Sequence, residues 1–180
     1  MILNEFEPRY FLSFDTLMLQ PKEEGTKIFT RVIERNRTVA VPKKPIHIVT
    51  GSCTFYGSSY TTVMSTSRRL FGDNTQKAPL LLANAFGIPF IFIPTLSPLS
   101  DQNVWISYHA IDFYEIDGLG TSVTLENGRK YKLDISVQTM NRQYAFAKLL
   151  ERDFLKRQRS YDRTSFLFPP NGQSTDYPTL

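Results

Sequence analysis

The sequence predicts an α+β fold: a mostly antiparallel β-sheet or partly open barrel with a short middle helix and a long amphipathic C-terminal helix. Three observations predict it. Runs of β-branched and aromatic residues separated by turn residues fill the first two thirds of the chain, and an Asn127-Gly128 hairpin signal stands near their end. From Val137 onward the apolar period changes from that of a strand to that of a helix. Strands first and a helix last is the order of an α+β domain. The 180 residues are 41% hydrophobic and 13% aromatic, which supplies a real core and excludes disorder over most of the chain. One domain over residues 1–160, followed by a tail over 161–180, is the expected organisation.

Taken in order, Lys27 to Ile33, Thr38 to Val41 and Ile46 to Val49 read as three short strands, punctuated by Glu34-Arg35-Asn36-Arg37 and Pro42-Lys43-Lys44-Pro45. Ser58 to Gly72 lacks Pro and reads as a helix capped near Ser58 or Ser59 and ended by Gly72. Pro79 to Ala83 and Ile88 to Ile93 are strands. Val104 to Ile116 alternates as one further strand, its even positions apolar except for Asp112. In the hairpin that follows, Val123, Leu125, Tyr131, Leu133 and Ile135 are all odd-numbered. A three-residue loop, Glu126-Asn127-Gly128 with Gly128 left-handed, keeps them on one face, whereas a two-residue loop would not. Val137 to about Arg159 forms the long helix. Val137, Met140, Tyr144, Ala147, Leu150, Phe154 and Leu155 make one stripe, and Arg142, Lys148, Arg152, Lys156 and Arg159 make another.

Several function classes are excluded or weakened. The longest apolar stretch, Pro79 to Pro94, is interrupted by Asn84, Gly87 and Pro89, so no membrane span is expected, and no secretory signal is visible at the N-terminus. Cys53 is the single cysteine, which leaves no internal disulfide and no Cys-based zinc site. A cytoplasmic protein without metal or organic cofactor is the expectation. The nucleotide-binding, P-loop, nucleophile-elbow and zincin motifs are absent. Cys53 with His47 or His109 would make a thiolate–imidazole pair in principle, but a packed cysteine and two hydrogen-bonded histidines is the plainer reading.

Charge is more informative. The net charge is +4, and it is unevenly placed: Lys22 to Lys44 and Arg142 to Arg163 each carry seven basic and three acidic residues, while no Lys or Arg occurs between Lys77 and Arg129. The helix cations fall within about a third of the circumference, and Glu151 and Asp153 point elsewhere on the wheel. Such a face is either solvated surface or a polyanion site. The second basic block, with Arg31, Arg35, Arg37, Lys43 and Lys44, favours the polyanion reading. A different nucleic-acid mode, stacking of unpaired bases on Phe55, Tyr56, Tyr60 and Trp105, would make the protein an RNA or single-stranded-DNA module.

Four ordered blocks carry a resemblance. Ser52-Cys53-Thr54-Phe55-Tyr56-Gly57-Ser58-Ser59-Tyr60, preceded by Pro45-Ile46-His47-Ile48-Val49, resembles the ComK family of bacterial competence transcription factors. The likeness continues through Pro89 to Ser97, Trp105 to His109 and Leu125 to Ser136, and covers roughly Pro45 to Arg159. It implies a DNA-binding activator of DNA-uptake genes that assembles as homodimers or higher oligomers on paired A/T-rich boxes, mainly through the minor groove. A·T tracts have narrow, strongly negative minor grooves that accept Arg and Lys, and their readout is by shape. Where family members carry cations shortly after Ser-Ser-Tyr, Thr61-Thr62-Val63-Met64 intervene here, and the first cations are Arg68 and Arg69. The DNA contacts expected are therefore Arg68, Arg69, Arg142, Lys148, Arg152 and Lys156. Phe166, Leu167, Phe168 and Pro169 look like the segment through which the family engages an adaptor of a Clp-type protease; a self-docking aromatic patch is the alternative.

Overall fold

The computed structural model describes the backbone of residues 7–162 and the side chains of residues 7–160. Three strands open it, β1 (Thr16–Glu24), β2 (Lys27–Glu34) and β3 (Thr38–Val41), and two helices follow, α1 (Pro45–Phe55) and α2 (Tyr60–Phe71). Next come β4 (Leu80–Ala85), β5 (Ile88–Pro94), β6 (Trp105–Ser107), β7 (Ile111–Asp117), β8 (Gly120–Leu125) and β9 (Lys130–Leu133), and α3 (Val137–Asp162) closes the order. The strands form a six-stranded sheet, β3-β2-β1-β6-β5-β4, and a three-stranded sheet, β7-β8-β9. Every pairing is antiparallel. The expected α+β class with a mostly antiparallel, open arrangement is what the chain forms.

Strand alternation builds the layers. Val32, Phe90, Phe92 and Trp105 face one side of the six-stranded sheet and pack with Ile48, Val49, Val63 and Met64 of α1 and α2. Their neighbours Ile33, Ile91, Ile93 and Ile106 face the other side and pack with the three-stranded sheet and with Met140, Ala147 and Leu150 of α3. Each such side chain, fully withdrawn from water, contributes roughly 1.5–3 kcal/mol. The two helical units thus lie on opposite faces of the large sheet. They meet around its β4 edge, where Phe71 of α2 stacks on Phe146 of α3 with centroids 4.4 Å apart.

Two expectations are corrected. Ile46 to Val49 is not a strand but part of α1, whose buried residues are Pro45, Ile48, Val49, Ser52 and Cys53. Those positions are a helical i, i+3, i+4, i+7, i+8 set, and Pro45 sits where its missing N–H costs nothing. Nor is Val104 to Ile116 one strand. β6 belongs to the large sheet, a 3-10 turn over Tyr108–Ala110 carries the chain round a corner, and β7 joins the small sheet with a bulge between Ile111 and Phe113. The polar interruption at Asp112 marks that bulge.

The remaining elements follow their local chemistry. Ser59 caps α2 by accepting a hydrogen bond from the Thr62 N–H at 3.1 Å, and Gly72 ends it at φ 93°. In the β8–β9 hairpin Val123 pairs with Tyr131, Leu125 accepts from Gly128 N–H at 2.8 Å, and Gly128 has φ 76°. That is the expected three-residue loop.

Candidate nucleic-acid interface

α3 projects its cations from the face turned away from the core. Met140, Gln143, Ala147 and Leu150 are fully buried, and Phe154 nearly so, whereas Arg142, Lys148, Arg152, Lys156 and Arg159 are all exposed. Glu151 and Asp153, the described acids of this helix, are engaged with other partners. The Glu151 carboxylate accepts from the Tyr108 hydroxyl at 3.2 Å and lies 3.5 Å from His109 Nε2, and Asp153 is held by Arg157 at 2.9 Å. No carboxylate among the described residues lies within ion-pair distance of Arg142, Lys148, Arg152, Lys156 or Arg159. At 1.5 Å per residue the row from Arg142 to Arg159 is roughly 25 Å long, about seven phosphate spacings of a DNA strand.

The structure places the α2 pair beside this row, but unequally. Arg69 is exposed, and its guanidinium is 3.7 Å from Asp153 of α3, so it joins the α3 surface around the β4 edge. Arg68 is half-buried, with Nε enclosed on the inner border of α2. Its charge reaches Tyr60, where it opposes the burial that pushes that phenol up to about 12.

Sequence reasoning missed the outer face of α2 itself. With residues 46–49 helical, α1 and α2 become two consecutive helices joined by the four residues Tyr56-Gly57-Ser58-Ser59, with Gly57 left-handed at φ 80°. This is a short, glycine-containing connection between two consecutive helices. α2 turns Thr61, Thr62, Ser65 and Arg69 outward, a set that can donate hydrogen bonds to phosphate oxygens. A signal was legible for it: no Asp or Glu occurs between Glu34 and Asp73.

The other basic block is different. Arg35 lies 2.9 Å from Glu126 and 3.6 Å from Asp15, Arg37 pairs with Glu7 and Glu34, and Lys44 lies 2.8 Å from Asp101. These cations sit on the β2–β3 side of the large sheet, at the edge opposite β4. Arg35, Arg37 and Lys44 are thus held by carboxylates within the fold, which weakens the second patch, while Arg31 and Lys43 have no carboxylate within ion-pair distance among the described residues.

The alternative chemistries lose their geometry. Trp105 is fully buried, which removes it from any base-stacking platform, and Tyr60 is half-buried; Phe55 and Tyr56 are exposed. Cys53 is fully buried, and desolvation pushes its thiol up to about 11, the opposite of what a nucleophile needs. Neither imidazole faces it. His47 is exposed on α1, and His109 Nε2 sits 3.0 Å from the Pro89 carbonyl. No three His, Cys, Asp or Glu side chains converge into a metal-ligating group among the described residues, and no helix there is long and apolar enough to cross a membrane. Phe166, Leu167, Phe168 and Pro169 lie outside the described residues.

Comparison with known proteins matches this sequence to a family. The family model described as ComK protein matches residues 7–159, which is nearly all of the described chain. The competence transcription factor of Bacillus subtilis (strain 168) is 31% identical over 169 residues, covering 92% of this chain and 86% of that protein. No solved structure matches. The match spans both helical units and both sheets, including the cation row of α3 and the α1–α2 pair, and on that extent the chain belongs to the ComK family.

Proposed function

We propose that this protein is a transcriptional activator of competence that binds double-stranded DNA at paired A/T-rich boxes, mainly through the minor groove, as a homodimer or higher oligomer. The observation that carries the reading is the cation row of α3, Arg142, Lys148, Arg152, Lys156 and Arg159, which is exposed and has no carboxylate partner among the described residues, with Arg69, paired to Asp153, at its flank. Exposed cations at this density displace condensed counterions from a phosphate backbone, which makes binding strong and steeply salt-dependent. Narrow A·T minor grooves deepen the negative potential that such a row meets. Arg142, Lys148, Arg152 and Lys156 are its principal DNA contacts, with Arg69 flanking them. Arg68, half-buried, supports the α2 surface more than it touches the duplex. Residues 166–169 are assigned to the Clp-adaptor contact, which a pull-down with that segment deleted tests directly.

The test is a titration at two salt concentrations against three probes: a duplex with two A/T boxes, a scrambled duplex of equal composition, and a single strand. Tight, cooperative binding to the boxed duplex is expected, and it persists when I·C replaces A·T, an exchange that preserves the minor-groove pattern. Preference for the single strand would instead support the stacking module, and equal weak binding to all three would leave only a basic surface.

A further inference from the structure

Phe86 stands at the tip of the β4–β5 hairpin. Ala85 pairs with Ile88, so Phe86 and Gly87 form a two-residue loop with φ 53° and 78°. Both values are left-handed, the pattern of a type I′ turn, whose first position favours Asn, Asp or Gly. A bulky aromatic there is strained, and strain of this kind persists where function holds it. The fold gains nothing visible from the ring, which is 104% exposed, and Ile88 beside it is half exposed. At the other end the ribbon is rigid, because Leu80, Leu82, Phe90 and Ile91 are buried on both faces of the sheet. The tip also lies against the C-terminal turns of α3: a Cβ built on Gly87 would stand 3.4 Å from Gln158 Oε1, a position about 100° around the helix from Arg159 and about 160° from Lys156.

From this arrangement we infer that Phe86 is a wedge that enters between stacked base pairs of the duplex held by the α3 cations. The inference rests on the duplex-DNA reading above. Proteins that work through the minor groove insert apolar side chains between base steps, and the unstacking is offset by contacts that the bent duplex makes with flanking cations. Pyrimidine–purine steps such as TA, common in A/T-rich boxes, unstack most easily. A protein partner fits less well, since a stable protein interface covers on the order of 800 Å² per side and one projecting ring does not.

The experiment places 2-aminopurine at a TA step of the boxed duplex and compares the full chain with Phe86→Asn and Phe86→Leu. Asn suits the turn, so its thermal midpoint is expected to equal or exceed that of the unaltered protein. That protein raises the fluorescence several-fold on binding. Phe86→Asn abolishes the rise and binds at least tenfold more weakly, and Phe86→Leu retains most of both. Tight binding by the unaltered protein without a fluorescence rise, or an equal rise with Phe86→Asn, overturns the wedge alone. Loss of oligomers in Phe86→Asn with unstacking intact also overturns it and gives the ring to a second copy. Failure of the unaltered protein to bind any duplex overturns the DNA reading, and the wedge with it.

Discussion

A cation strengthens duplex binding only to the extent that no carboxylate already holds it, and at the residue scale this separates two basic blocks that look alike in composition. Lys44 is tied to Asp101 at 2.8 Å, while Arg152 and Lys156 project into solvent without a carboxylate partner among the described residues. Lys44→Gln is therefore expected to leave the slope of log K against log salt unchanged within error, as measured by fluorescence anisotropy. Cys53 gives a second residue-scale prediction. Its thiol is raised from 9.0 to about 11 in the folded chain, so between those values the folded state keeps a proton that the unfolded chain releases. The contribution is fully present below pH 9 and is lost as pH rises toward 11, with a limiting slope of about 1.4 kcal/mol per pH unit. Denaturant unfolding across pH 8–11 should show this fall, and Cys53→Ala should flatten its onset near pH 9 while leaving DNA binding intact. A Cys53→Ala curve that falls as early and as steeply would assign the loss to tyrosines such as Tyr60.

At the scale of elements, two glycines in the small sheet do different jobs. Gly128 has φ 76° with open space around a would-be Cβ, so Gly128→Ala costs only backbone strain, about 1 kcal/mol. Gly120 lets β8 approach β9, and a Cβ there would stand 2.5 Å from the Leu133 carbonyl oxygen; Gly120→Ala should cost about 2–3 kcal/mol. Equal denaturation midpoints for the two variants would contradict this packing. The hairpin between these residues was legible because parity alone selects its loop. α1 was less so: Ile46, Ile48 and Val49 look like a strand until the window extends over Gly51 to Ser52 and Cys53, where the helical period emerges. β1 was not read at all. Thr16 to Leu19 are buried with a bulge after Thr16, which erases alternation, and Pro21 is tolerated because β6 pairs only with Met18 and Leu19. The turn at Tyr108–Ala110, which sends one apparent strand into two sheets, depends on tertiary packing that no local pattern encodes.

Across the whole molecule, charge is sorted by the edges of the large sheet. Arg35, Arg37 and Lys44 on the β3 side are matched to carboxylates, whereas the β4 edge carries α2 and the Phe86 hairpin, and Arg69 of α2 reaches α3 there. Residues distant in sequence meet there because Phe71 stacks on Phe146 and Arg69 reaches Asp153. The helical wheel of α3 made its cation row legible, whereas the join to α2 was not, since it depends on two helices on opposite faces meeting at one edge. Phe71→Ala should loosen that join and weaken DNA binding severalfold with little change in secondary structure by circular dichroism. The most direct test of the account is the salt dependence of binding to the boxed duplex for the unaltered protein and for the Arg152→Gln, Lys156→Gln double variant. With about 0.9 units of slope per phosphate contact, the double variant is expected to lose nearly two units and to weaken on boxed and scrambled duplexes alike. An unchanged slope would remove α3 from the interface and contradict the account at its centre.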